Sequence, residues 1–200
     1  MIASDLRAII FDLDGTLVDS RLDFAAMREE LAAPSDIGLL EYIAGLASVR
    51  DREAAMAVIH RHENAGALAA SWMPGAQQAL EALCEQGTPT AIVTRNSREA
   101  ARLTMARLGM PPMPLMARED AAPKPSPDAL LAIAMQWRLP PAHCAYIGDF
   151  RYDIEAAERA GMLPVLYVGN QESPPSVAEH VRILRDFASL PGWLSQRRSA

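Results

Sequence analysis

Two aspartates, Asp12 and Asp14, follow the apolar run Ile9-Ile10-Phe11 and precede Gly15 and Thr16. A run of that kind reads as a buried parallel strand, and open α/β sheets bind ligands at the carboxyl ends of such strands. Alternate residues of an extended chain share a side, so both carboxylates face one cavity while Leu13 turns into packing. Gly15 lets the main chain pass close to a ligand and, with its neighbours, presents N–H groups to an anion. Acids beside anion donors make chemical sense if a divalent cation bridges them to a phosphate. Other strand-like runs also end in polar residues. The run 90–94 closes on Thr94, with Arg95 and Asn96 next, and the run 144–149 closes on Gly148-Asp149, with Asp153 four residues on. Lys124 stands in Pro123-Lys124-Pro125, where the prolines restrict the backbone ahead of a helix.

The elements that must position these residues follow from hydrophobic periodicity. Helical spacing recurs over 22–31, 37–46 and 51–69, with breaks at Pro34 and Gly45. Beyond the turn Trp72-Met73-Pro74-Gly75, helices are predicted over 76–86, 97–108, 128–137 and 154–161, and strands over 90–94, 114–116, 144–149 and 163–168. The last part, 177–184 and 190–193, reads as helix packed on the sheet edge, and 197–200 as a solvated tail. Strand and helix in alternation argue for a parallel sheet covered on both faces.

Asp12-Leu13-Asp14-Gly15-Thr16 resembles the first signature of the haloacid-dehalogenase-like superfamily, in its phosphoglycolate-phosphatase-like branch. Thr94, Lys124 and Asp149 with Asp153 match the later motifs in the right order. The resemblance implies an α/β, Rossmann-like three-layer core, with a small all-helical cap inserted after the first strand. The core is placed at 1–16 and 72–200, and the cap at 17–71. It implies a Mg²⁺-dependent phosphatase in which Asp12 is the nucleophile and an aspartyl-phosphate is the intermediate. The metal set is Asp12, Asp14 through its main-chain carbonyl, and Asp149. The Asp14 side chain serves as acid and then base. Gly15, Thr94, Asn96 and Lys124 are expected around the phosphate, and Lys124 also supports Asp12. Asp153 is expected to hold a metal-bound water or Lys124. Arg95 stands where the family more often has a small residue or Asn, so it either reaches the substrate or lies on the surface. Within the superfamily a β-phosphoglucomutase-type phosphomutase is the alternative; outside it, a phospho-aspartate or phosphate-sensing regulator.

Composition bounds these readings. The chain has 200 residues, half of them hydrophobic, enough for one domain with an insertion. Net charge is −6 with the basic residues scattered, which speaks against nucleic acid or an anionic membrane as partner; the family resemblance implies a small phosphorylated metabolite instead. Cys84 and Cys144 lie far apart in apolar contexts and are expected to be buried thiols of a reduced, cytoplasmic protein. The first strand begins too early to leave room for a secretory leader, and no apolar run is long enough to cross a bilayer. A monomer or weak homodimer is expected.

Overall fold

The computed structural model describes residues 6–171 and 176–195. The first apolar run forms β1 (Ala8–Phe11), buried throughout. The chain then makes β2 (Val18–Asp19), the helices α1 (Phe24–Glu30), α2 (Leu39–Gly45) and α3 (Val49–Ala69), and β3 (Ser71–Trp72). Alternation follows through α4 (Ala76–Glu85), β4 (Thr90–Val93), α5 (Arg98–Arg107), β5 (Leu115–Met116) and α6 (Asp128–Trp137). It ends with β6 (Cys144–Gly148), α7 (Arg151–Ala160), β7 (Leu163–Tyr167), β8 (Arg182–Leu184) and α8 (Leu190–Ser195).

Six strands pair in parallel in the order β5-β4-β1-β6-β7-β8. The chain winds outward from β1 to one edge and then crosses back to β6 on its other side, so β1 sits at the switch point, where the loops diverge and leave a crevice. Strand alternation sorts the core into two layers. Ile9, Phe11, Ile92, Ala145 and Ile147 point to the face covered by α4 and α8, whereas Ala8, Ile10, Val93, Cys144 and Tyr146 point to the face covered by α6 and α7. Each fully buried Leu or Ile there contributes roughly 1.5–3 kcal/mol. The helices α1–α3 keep a separate small core around Met27, Leu39, Ile43 and Ile59.

This is the predicted three-layer α/β architecture, with two local differences. The stretch 177–184 was expected as helix, but it contains β8, which pairs with β7 through Val165↔Arg182 and Leu166↔Ile183. Its buried Val181 and Leu184 fit a helical period as well as a strand, and only the open edge of β7 decides between them. The ends of the helical insertion meet as β2 and β3 in an antiparallel ladder, Val18↔Trp72 and Asp19↔Ser71, too short to leave a period in sequence. Cys144 is buried as expected, but Cys84 is exposed, because it falls on the solvent side of α4. Both thiols are free. The tail 197–200 lies outside the described residues. Among the described residues, no helix is long and apolar enough to cross a membrane.

Candidate active site

The residues singled out by type and spacing come together at the carboxyl end of the sheet, in a crevice of about 570 Å³ whose other wall is built by the α1–α3 insertion. Asp12 leaves β1 with its N–H still donating to the Ile147 carbonyl at 2.8 Å, so the sheet itself fixes its position. Leu13 is fully buried in the core, as the alternation requires. Gly15 takes φ +83°, and a Cβ there would stand 2.4 Å from Oδ2 of Asp149. Only glycine permits both the turn and the approach of that carboxylate. Gly148 leaves room in the same way for the side chain of Asp153, whose Cγ would lie 2.2 Å from an added Cβ.

Lys124 is buried between two acids, with Nζ 2.9 Å from Oδ1 of Asp12 and 2.5 Å from Oδ1 of Asp153. Asp153 is held on every side: its Oδ2 accepts from the Phe150 N–H at 3.0 Å, and the Tyr146 hydroxyl lies 3.1 Å from its Oδ1. The single proton of that hydroxyl is shared between Asp153 and the Val93 carbonyl, 3.0 Å away, which ties β6 to β4 beneath the site. Asp153 thus pairs with Lys124, one of the two contacts expected of it, and also ties down the first turn of α7. Thr16 is fully buried and donates to Oδ1 of Asp149 at 3.3 Å. Neither Tyr146 nor Thr16 was marked out by sequence as a site residue. Thr16 lies within the first signature but its partner Asp149 is 133 residues away, and Tyr146 reads in sequence as an ordinary core residue of its strand, so neither contact leaves a local pattern.

Asp14 has a different environment. Its Oδ2 accepts from the Asn96 side-chain amide at 3.0 Å, while its buried Oδ1 has no partner among the described residues. Asn96, expected at the phosphate, lines the crevice and donates one amide N–H to Asp14, while its Oδ1 accepts from the Ser97 N–H. Thr94 is buried at the end of β4, where its hydroxyl oxygen accepts from the Asn96 N–H at 3.0 Å and its proton stays available. Arg95 lines the crevice, ion-paired with Glu41 of α2, its guanidinium 4.9 Å from the Tyr152 ring centre. A second link from insertion to core is the buried pair Glu63–Arg118, at 2.6 and 3.0 Å through both guanidinium nitrogens. Charge residues of this kind were too ambiguous in sequence to be assigned.

Carboxylate oxygens of Asp12, Asp149 and Asp153 can all lie within 4.8 Å of one another. Burial holds the Asp12 carboxyl well above its ordinary range, with the charges of Asp153 and Asp149 adding to the effect and Lys124 opposing it. Asp149, though exposed at the rim, is pushed up to about 6 by desolvation and by Asp153. For Lys124, burial alone would lower the pKa, but Asp12 and Asp153 outweigh it and keep the ammonium charged. One lysine does not balance three crowded acids, so the cluster suits a cation. The close approach of the Asp149 carboxylate that Gly15 allows fits the same requirement.

A family model of haloacid dehalogenase-like hydrolases matches residues 6–161. A phosphoglycolate phosphatase of Rhodobacter capsulatus is 29% identical, over 92% of this chain and 95% of its own. One from Xylella fastidiosa is 31% identical, over 78% of this chain and 77% of its own. Among solved structures, a hydrolase of Deinococcus radiodurans with bound phosphate and sodium superposes with TM-score 0.70 at 22% identity, covering 96% of this chain and 99% of that one. The agreement extends from sequence to sheet topology, and the chain belongs to the haloacid dehalogenase-like hydrolases as a phosphatase.

Proposed function

We propose that the protein is a Mg²⁺-dependent phosphomonoesterase that hydrolyses a small phosphorylated metabolite through a phosphoryl group carried on Asp12. The observation that carries this reading is the divergence of the two acids of one loop. Asp12 is drawn into the cluster with Lys124, while Asp14 is tethered to Asn96 with one oxygen left over. One position suits a nucleophile and the other an acid and base.

Asp12 and Asp149 are the side chains to hold Mg²⁺, since both oxygens of Asp153 are already engaged, and family resemblance adds the Asp14 carbonyl. The bound cation supplies charge neutralisation, so that a carboxylate can approach a phosphate dianion. A carboxylate oxygen of Asp12 attacks phosphorus, the bond from phosphorus to the ester oxygen breaks, and Asp14 gives its proton to that oxygen as the alcohol leaves. Asp14, now ionised, takes a proton from water, and the resulting attack on phosphorus frees Asp12 and inorganic phosphate. Lys124 stays charged through both steps, and with Thr94 it offers donors to the phosphoryl oxygens.

The test is incubation with Mg²⁺ and an aryl phosphate. Repeated turnover is expected, with Asp12→Asn reducing it by at least about a thousandfold. Stoichiometric labelling without turnover would favour a phospho-aspartate regulator instead.

A further inference from the structure

Seven acidic and five basic side chains line the crevice, and three of the basic ones, Lys124, Arg118 and Arg95, are paired closely with acids. Lys124 lies between Asp12 and Asp153, Arg118 is clamped by Glu63, and Arg21 sits beside Asp19. Arg28 is turned to the main-chain carbonyls of Pro34 and Ile37, where it braces the connection between α1 and α2. Arg95 is well placed to meet a substrate's distal end, stacked on Tyr152 at the wall, but its guanidinium is taken by Glu41. Glu41 projects from the first turn of α2 into the same crevice, and its other oxygen, Oε2, is buried without a partner among the described residues. An incoming carboxylate would therefore meet a neutralised arginine and an unsatisfied acid.

The rest of the distal wall is apolar. Leu22, Leu40 and Ile59 line it from the insertion, and Phe24 and Phe150 stand at it 60% and 53% exposed. Among the lining residues Arg21 is largely exposed and Arg28 bonds main-chain carbonyls, but the arginine stacked at this wall, Arg95, is already paired with an acid, so the wall penalises desolvation of a further charged group and tolerates an uncharged one.

Resting on the phosphatase reading, we infer that this site selects phosphomonoesters whose leaving alcohol is uncharged, and that Glu41 enforces the selection by neutralising Arg95. The chemical step is unchanged: the bond from phosphorus to the ester oxygen breaks, and the alcohol departs with the Asp14 proton. What changes is which alcohol the distal wall accepts.

The test compares two esters of nearly equal size in the presence of Mg²⁺. These are 2-phosphoglycolate, with a distal carboxylate, and 2-hydroxyethyl phosphate, with a neutral hydroxyl in its place. The wild-type protein is expected to show a kcat/KM at least about tenfold higher for the neutral ester. Glu41→Gln, which removes the charge and frees Arg95, should move the ratio toward phosphoglycolate by about tenfold or more, and adding Arg95→Gln should cancel that gain. Because the readout is a ratio within one variant, general loss of folded protein does not mimic it. Turnover of both esters with phosphoglycolate preferred by the wild type, or with the ratio unmoved by Glu41→Gln, overturns this inference alone. Failure to turn over either ester overturns the phosphatase reading and the inference with it.

Discussion

Asp12 and Asp14 share a loop but not an environment, and their roles can be separated by measurement. Asp14→Asn keeps a group that can still face Asn96, so Mg²⁺ binding should persist while kcat falls by about a hundredfold or more. Asp149→Asn should instead weaken Mg²⁺ affinity, read by titration calorimetry. Loss of metal binding in the Asp14 variant with its rate intact would reverse the assignment. Asp149 also sets a pH dependence. Its pKa rises from 3.8 to about 6 in the folded protein, so the stability tied to this group is complete below pH 3.8 and is lost as pH rises through about 6. A divalent cation acts in the opposite sense, because it binds the ionised form and competes with the proton. The rise in Tm on adding Mg²⁺ should therefore be several degrees larger at pH 7.5 than at pH 5. Equal increments at the two pH values would show that Asp149 does not bind the ion.

At the scale of elements, the insertion is seated on the core by contacts of α3 beside the Glu41–Arg95 pair of α2. Glu63 meets Arg118, Asn64 reaches Glu99 on α5, and Arg107 of α5 donates to the Ala67 carbonyl. Glu63 is 5% exposed, so its pairing is not a surface ion pair of small worth. Arg118→Met leaves that carboxylate buried and uncompensated, which should cost about 3–5 kcal/mol, read as a lowered Tm and faster amide exchange along α3. The double variant Glu63→Leu with Arg118→Met should regain most of the loss, because replacing a buried pair by apolar groups of similar size is often neutral. If the single variant loses no stability, the pair does not seat the insertion. The switch point at β1 is the other element-level determinant. It makes the loops after β1, β4 and β6 open on one crevice, so that Asp12, Thr94 and Asp149 meet.

For the whole molecule, the two cysteines report on integrity of the fold. Cys84 is exposed, whereas Cys144 lies inside β6 and burial pushes its thiol up to about 11. A thiol reagent at pH 8 should label one cysteine per native chain quickly and the second only with global unfolding. Two fast equivalents would contradict the packing of β6. What the sequence by itself determined is whatever is written in local patterns: apolar runs for β1, β4, β6 and β7, helical periods closed by caps, and the ordered acids, threonine and lysine at the ends of those runs. Such features depend on neighbours a few residues away, so they are legible without coordinates. Tertiary structure alone decided that 182–184 is an edge strand, that Tyr146 and Thr16 brace Asp153 and Asp149, and that Asn96 holds Asp14. It alone paired Glu41 with Arg95 and Glu63 with Arg118. Apart from the edge strand, each of those choices joins one side chain to a partner more than a helical turn away in the chain, and the edge strand took its form from a neighbouring strand. A sequence period cannot encode a single long-range contact of that kind, because the contact exists only once the sheet has brought its loops together.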